Sequence, residues 1–223
     1  MVCGSDGRGH HSGALIMGFY DTFYDSWLMP RLCHLAMRSK RLLPPRQRVV
    51  GAAEGDVLEI GIGSGLNFPF YGPNARRVFA LEPSPQLLDM ARRSARKASV
   101  PTAFLEASAE QIPLDAKSVD SIVMTWVGCS IPDVEAALRE MRRVLRPGGR
   151  LLFVEHGRSP DPNVARWQER LNPYWQRLSG GCHLNRKIVD QLPAAGFRVE
   201  QLATGYLRGP KVLTFLYEGS AVV

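Results

Sequence analysis

Two hydrophobic periods alternate along the chain. Compact apolar runs at residues 57–60, 77–81, 102–106, 119–124 and 150–155 have the length of buried strands. Between them apolar residues recur every three or four positions, the period of a helix with one buried face. Leu87, Leu88, Ala91 and Ala95 make such a face over 84–97, with Ser84 placed to cap it. Val134, Leu138, Met141 and Leu145 make another, opened by Asp133 and ended by Arg146-Pro147-Gly148-Gly149. Five strand-and-helix alternations predict an α/β fold: an open, mostly parallel sheet with helices on both faces.

Toward either end the pattern changes. Residues 1–16 are rich in Gly, Ser and His without an apolar period, as expected of a flexible tail. Phe19, Phe23, Trp27, Leu32, Leu35 and Ala36 predict one helix over 18–41, or two interrupted near Pro30. With a short helix at 46–53, residues 17–50 form an expected helical cap. Gly65-Leu66-Asn67-Phe68 is expected to open a helix that Pro69 and Pro73 keep short. Beyond the fifth strand, Val164, Trp167, Leu171, Trp175 and Leu178 predict a Trp-bearing helix, in which Asn172-Pro173-Tyr174 reads as an irregularity. A helix at 185–195 follows, ending at Gly196, and residues 160–195 are expected to roof the site. Strands at 197–202 and 212–217 complete a single domain, 17–223.

Composition adds limits. With 223 residues and 45% hydrophobic content, one large domain can bury its own core. Cys3, Cys33, Cys129 and Cys182 lie far apart with no Cys-x-x-Cys pair, which indicates neither a zinc knuckle nor a disulfide framework. Cys129 and Cys182 read as packing residues, and reducing cytoplasm is the expected compartment. The net charge is +7, and residues 1–50 hold seven Lys/Arg against three Asp/Glu. A solvated surface accounts for that excess, and peripheral contact with an anionic membrane through the basic end is the sharper reading. The longest apolar run, near 122–131, falls short of the roughly 20 residues that span a bilayer. No segment has the pattern of a signal peptide.

The candidate chemistry gathers at Glu59-Ile60-Gly61-Ile62-Gly63-Ser64-Gly65. A strand running into three alternate glycines is a turn through which backbone can approach a ligand closely. A dinucleotide fingerprint would need glycine at position 66, which is Leu66, so the spacing argues against NAD. Glu82 ends the second strand, where a carboxylate can take both hydroxyls of a ribose. Turn and acid together make a pocket for an adenosine-bearing cofactor. Tyr20 and Tyr24 are candidates to close over it, each offering an apolar face and a polar tip.

These motifs resemble the class I S-adenosylmethionine-dependent methyltransferases, from about residue 18 to the end. Glu59 through Gly65 looks like that family's first motif, Glu82-Pro83 like its ribose-binding acid, Ser108-Ala109-Glu110 like the loop beside adenine, and Arg146-Pro147-Gly148-Gly149 like the turn before its fifth strand. The resemblance implies a Rossmann-like seven-stranded sheet in the order 3-2-1-4-5-7-6 with strand seven antiparallel. It also implies S-adenosylmethionine as cofactor, held by Glu59, Gly61, Gly63, Ser64, Gly65, Asn67, Glu82, Pro83, Ser108, Ala109, Glu110, Thr125 and Trp126 with the two tyrosines. Within the superfamily, Gly65 through Tyr71, Thr125 through Ser130, Glu155-His156 and Trp167 through Asn185 are similar to the alkyl-thiol S-methyltransferases and their bacterial relatives. Tyr20 through Asp25 also resembles phospholipid and quinone methyltransferases, which keeps a lipid amine or a quinone as the alternative acceptor.

No Asn/Asp-Pro-Pro-Tyr/Phe turn follows the fourth strand, where Thr125-Trp126-Val127-Gly128 stands, so nucleobase methylation and a nucleic-acid partner are not expected. The expected reaction is in-line displacement at the sulfonium methyl by a small acceptor, with positioning supplying most of the rate. Trp126, Trp167, Trp175, Phe68 and Leu171 are expected to form an aromatic chamber for that acceptor. His156 and His183 are the candidate catalytic bases, since a neutral imidazole near a thiol could accept its proton. A non-catalytic module of the same fold that binds membrane or RNA is the reading from another class.

Overall fold

The structure is a computed structural model and describes residues 28–223. The expected tail, residues 18–27 of the helix expected over 18–41, and with them Tyr20 and Tyr24 lie outside the described residues. Strands β1 (Gly55–Ile60), β2 (Ala75–Leu81), β3 (Thr102–Leu105), β4 (Val119–Thr125), β5 (Leu145–His156), β6 (Arg198–Tyr206) and β7 (Phe215–Val222) form one sheet in the order 3-2-1-4-5-7-6. Neighbours among β1 to β5 pair in parallel, and β7 runs antiparallel to both β5 and β6, as expected.

Helices α1 (Met29–Met37), α2 (Leu43–Gly51), α3 (Pro85–Ala95), α4 (Val134–Val144), α5 (Pro162–Leu178), α6 (Ile188–Gln191) and α7 (Lys211–Thr214) surround the sheet. Successive strand residues point to opposite faces, which splits the interior into two cores. Leu58, Ile60, Ile122, Met124 and Phe153 meet Leu138 and Met141 of α4 on one face. Val57, Val123, Leu152 and Val154 meet Val49 and Val50 of α2 and Leu88 and Ala91 of α3 on the other. Ser84 Oγ accepts from the Leu87 N–H at 3.4 Å and Asp133 Oδ1 from the Ala136 N–H at 2.9 Å, so both expected caps are made.

The amino ends of the strands are clamped by charge. Asp56 is buried and accepts from Arg76 (2.8 Å), Arg77 (3.0 Å) and Arg146 (3.3 Å). Asp120 accepts from Arg146 at 2.6 Å and from the Asp56 N–H at 2.8 Å.

Several boundaries differ from expectation for identifiable reasons. Pro30 lies in the first turn of α1, where a missing N–H leaves no bond unmade, and Pro44 and Pro45 likewise start α2 at Leu43. No α-helix opens after Gly65; Pro69 sits in a single 3-10 turn, Phe68–Phe70, and the chain then turns extended at Tyr71. Arg146 through Gly149 do not precede β5. They lie within it as an irregularity that shifts its register on β4, with Gly148 at φ +81°. The helix expected at 185–195 shrinks to α6. Residues 211–214 form α7, so β7 begins only at Phe215 and continues through Gly219, where a Cβ would stand 2.1 Å from the Gln201 carbonyl oxygen.

Helix α5 is present but turned. Trp167 is 54% exposed and Leu178 67%, whereas Val164, Ala165, Gln168 and Asn172 are buried. Polar anchoring decides the face. The Gln168 amide donates to the carbonyls of Gly157 (2.9 Å) and Val212 (3.1 Å) and accepts from the Ser159 N–H (2.8 Å). Asn172 Oδ1 accepts from the Leu184 N–H at 2.9 Å. Pairing these four backbone groups outweighs the apolar gain of turning the tryptophan inward.

Candidate functional site

A cavity of about 380 Å³ opens at the carboxyl ends of β1, β2 and β4, the place where open α/β sheets hold ligands. Its floor is the glycine turn. Gly61, Gly63 and Gly65 all have positive φ, but a side chain would meet something different at each. A Cβ on Gly61 would lie 2.4 Å from Val127 Cγ2 and one on Gly65 2.7 Å from the Phe68 ring, so these two let the turn pack against its own protein. Above Gly63 the nearest atom is 3.9 Å away. That open space is what a ligand lying on the backbone requires.

Glu82 closes one side of the cavity. Its Oε2 accepts from the Gly63 N–H at 3.0 Å and its Oε1 from the Ser84 N–H at 3.1 Å. Burial raises its carboxyl pKa and these two N–H groups pull it back. Each oxygen keeps a lone pair for a further donor, as a ribose diol would supply. Pro83, Ser108, Ala109 and Glu110 continue this wall, and Ser64, Asn67, Thr125 and Trp126 line the opposite part. Trp126 is held at φ +52°, a region that a non-glycine residue occupies only under constraint.

Glu59 and Gly65, both expected at the cofactor, do not line the cavity; they brace it from below. Glu59 Oε1 accepts from Asn67 Nδ2 at 2.6 Å and Oε2 from the Tyr71 hydroxyl at 2.5 Å. The same Asn67 amide donates to Thr125 Oγ1 at 3.0 Å, and its Oδ1 accepts from Arg46. The Arg46 guanidinium stacks 5.1 Å from the centre of the Trp126 ring. Complete burial pushes Glu59 up to about 8, since its donors are neutral and Arg46 is one residue removed.

The face of α1 that carries Met29, Pro30, Cys33, His34 and Met37 closes over the turn. His34 Nδ1 lies 2.6 Å from Ser64 Oγ, and burial together with Arg38 lowers its pKa. Met29, His34 and Met37, with Arg46, were not singled out in the sequence. Arg46 carried a readable signal: an arginine on the same helix face as the buried pair Val49 and Val50.

On the far side the walls are Val127, Ser130, Ile131 and Pro132 from the loop after β4, with Ser179 and Gly180 after α5. The expected aromatic chamber is not formed. Only Trp126 of its five members lines the cavity; Phe68 is buried beneath Gly65, Trp167 and Leu171 are exposed, and Trp175 is half-buried outside the cavity.

Neither candidate histidine lines the cavity. His183 Nδ1 accepts from the Gln176 amide at 2.8 Å, and burial beside Arg186 lowers its pKa. His156 Nε2 lies 2.9 Å from Cys182 Sγ, which is itself 3.3 Å from Cys129 Sγ. Burial pulls the imidazole down, but Cys182 and Glu155 outweigh it and raise its pKa. Glu155 Oε1 accepts from the N–H groups of Val127 and Gly128, both at 3.0 Å; burial raises its pKa to about 7, and Oε2 has no partner among the described residues. Arg186 ties the loops together, donating to the carbonyls of Gly128 (2.6 Å) and Ile131 (2.7 Å).

Residues 58–153 match the methyltransferase domain family. A thiol S-methyltransferase of Homo sapiens is 33% identical over 202 residues, which cover 88% of this chain and 81% of the human protein. Another, from Rattus norvegicus, is 35% identical over 153 residues, 67% of this chain and 62% of the rat protein. A S-adenosylmethionine-dependent methyltransferase from Aquifex aeolicus shares the fold with a TM-score of 0.61 at 20% identity, over 87% of this chain and 98% of the other.

Proposed function

The chain belongs to the S-adenosylmethionine-dependent methyltransferases, and from that premise we propose that it transfers the sulfonium methyl to a small thiol. The observation that carries this reading is the 33% identity to a thiol S-methyltransferase over 88% of the chain. The cavity agrees with a neutral acceptor, because its far wall of Val127, Ser130, Ile131 and Pro132 with Ser179 and Gly180 carries no charged side chain. Glu82 takes the ribose hydroxyls, the open backbone at Gly63 supports the cofactor's chain, and Ser108 through Glu110 flank the adenine.

Displacement at a sulfonium methyl needs the nucleophile, carbon and leaving sulfur in line, and holding them there is the main task of the walls. A thiol has a pKa of about 8.5, so a few per cent is already thiolate near neutral pH. A base in the cavity is therefore optional. His156 can serve only through an intervening group, since it stands behind the loop and not in the cavity. Purified protein offered small thiols, phosphatidylethanolamine and quinols, with S-adenosylhomocysteine as the readout, tests the reading. Turnover with the thiols is expected. Turnover with the lipid or quinol alone would replace it with the alternative acceptor.

A second reading concerns where the acceptor comes from. Trp167, Leu171, Tyr174 and Leu178 form an exposed apolar stripe on α5 beside Arg166, Arg170 and Arg177. No helix among the described residues is long and apolar enough to cross a membrane. Such a stripe instead suits peripheral contact with anionic lipid, from which an apolar thiol could partition. Flotation with phosphatidylserine vesicles should weaken on Trp167→Ala with Leu171→Ala, and with added salt. Equal flotation of wild type and variant would remove this contact.

A further inference from the structure

Behind the loop that walls the acceptor side, three segments distant in sequence bring soft donors together. Cys129 comes from the loop after β4, His156 from the end of β5, and Cys182 from the turn after α5 that passes through Gly180 and Gly181, both at positive φ. Their donor atoms all lie within 4.8 Å of one another, with Sγ to Sγ at 3.3 Å and Sγ to Nε2 at 2.9 Å. In a tetrahedral zinc site, bonds of about 2.3 Å to sulfur and about 2.0–2.1 Å to nitrogen put neighbouring donors roughly 3.5–3.8 Å apart. The two measured separations fall about 0.5 Å short of that spacing, so small outward side-chain movements would admit an ion.

We propose that Cys129, His156 and Cys182 form a site for a soft divalent transition-metal ion, zinc by chemistry, whose fourth position takes the acceptor thiol. Two thiolates and an imidazole are a donor set that such ions prefer, and three protein ligands leave one position open in a tetrahedral site. The supporting framework is built in. The Cys129 carbonyl accepts from the His183 N–H at 2.9 Å, and Arg186, which holds the carbonyls of Gly128 and Ile131, sets a positive charge beside both thiols. The site also borders the cavity. Ser130 follows Cys129, Val127 and Gly180 stand two residues before Cys129 and Cys182, and all three line the cavity wall.

The assignment of the fourth ligand rests on the thiol reading above; the metal site does not. On binding the ion, Cys129 and Cys182 each lose a proton to solvent. The acceptor thiol loses its proton on coordination, as metal binding deprotonates thiols. Its sulfur then forms the new bond to the methyl carbon as the carbon–sulfonium bond breaks. The products are a thioether and S-adenosylhomocysteine, and the metal is neither oxidised nor reduced.

Metal content of the purified protein, followed by chelation and titration with cobalt(II), tests the site. About one metal ion per chain and a thiolate-to-cobalt charge-transfer band in the near ultraviolet are expected. Both should be lost in Cys182→Ser and in Cys129→Ser, and kept in Cys33→Ser, with circular dichroism verifying that each variant folds. Absence of metal and of the band in wild type would overturn the site, as would a band that survives in Cys182→Ser. A Cys129–Cys182 disulfide in protein that takes up no metal would overturn it in favour of a redox pair. Addition of 2-mercaptoethanol to the cobalt protein should intensify the band as a third thiolate binds. An unchanged band in protein that still methylates the thiol would overturn the fourth-ligand assignment. A cobalt band in protein that methylates no thiol overturns the acceptor reading and leaves the metal site standing.

Discussion

Asp56 and Glu59 stand at opposite ends of β1, both almost wholly buried, at 2% and 1% exposure. Their carboxyls are displaced in opposite directions. Arg76 and Arg77 beside Asp56 hold it well below the usual carboxylate range, whereas Glu59, met by an amide and a phenol, is pushed up to about 8. Burial is common to both, so the partners decide the sign. The neighbouring strands repeat the contrast: Asp120 on β4 is lowered by Arg146 and by the Asp56 N–H despite its burial, and Glu82 after β2 is raised by burial. One end of the sheet neutralises its charges internally and so holds the strands together. The other leaves carboxylates with neutral partners and open lone pairs, which is the condition for meeting a ligand.

Breaking each end separately should therefore produce different losses. The largest effect is expected at Glu82→Ala, which should weaken S-adenosylmethionine binding by roughly ten- to a hundredfold in calorimetry, the value of hydrogen bonds to a charged acceptor. Its melting temperature should hardly move; unchanged affinity would remove the ribose role. Asp56→Asn should do the reverse. It should cost about 1–2 kcal/mol of stability by urea denaturation, discounted because its arginines are partly exposed, with cofactor affinity unchanged.

The two ends should also separate in pH. Asp56 is depressed in the folded state, so its contribution is present above the unfolded carboxylate pKa and lost as pH falls. Glu59 and Glu155 are raised, to about 8 and about 7, so theirs is complete below the unfolded value and lost as pH rises through those values. Melting of the ligand-free protein should peak at about pH 4, between the unfolded Asp and Glu values, and fall on both sides. Glu59→Gln should flatten the alkaline limb and Asp56→Asn the acid one; a limb unaffected by its variant would break the comparison.

The smallest effect concerns backbone. Lys117, exposed near the amino end of β4, has φ +55°, and Lys117→Gly should stabilise by about 0.5–1 kcal/mol. Trp126, at the carboxyl end of the same strand, has nearly the same φ. There the same change should lower methyl transfer, because it removes a cavity wall and the ring under Arg46.

What the sequence revealed divides along the same line. Local signals were readable: the alternation of periods, the caps at Ser84 and Asp133, the glycine turn with Glu82. Signals that depend on a distant partner were not. The tryptophans of α5 mark an apolar face, but which face is covered was decided by Gln168 and Asn172 meeting backbone from elsewhere. Gly219, beyond the strand expected to end at 217, lies inside β7, where β6 approaches closely. Cys129, His156 and Cys182 have no motif spacing because the sheet, and not the local chain, assembles them.

Gln168 also links three segments into one unit of local stability. Its amide holds Gly157 after β5, Ser159 before α5 and Val212 in α7. Helix α5 cannot lift without releasing all three, so its amides, those at the end of β5 and those of α7 should exchange with deuterium in concert, at a free energy close to that of global unfolding. The wall at Ser179 and Gly180, just after α5, should then open rarely, so cofactor and product are expected to exchange on the α1 side of the cavity. The slow wall and the permeable wall of the same chamber are fixed by where one buried glutamine happens to sit.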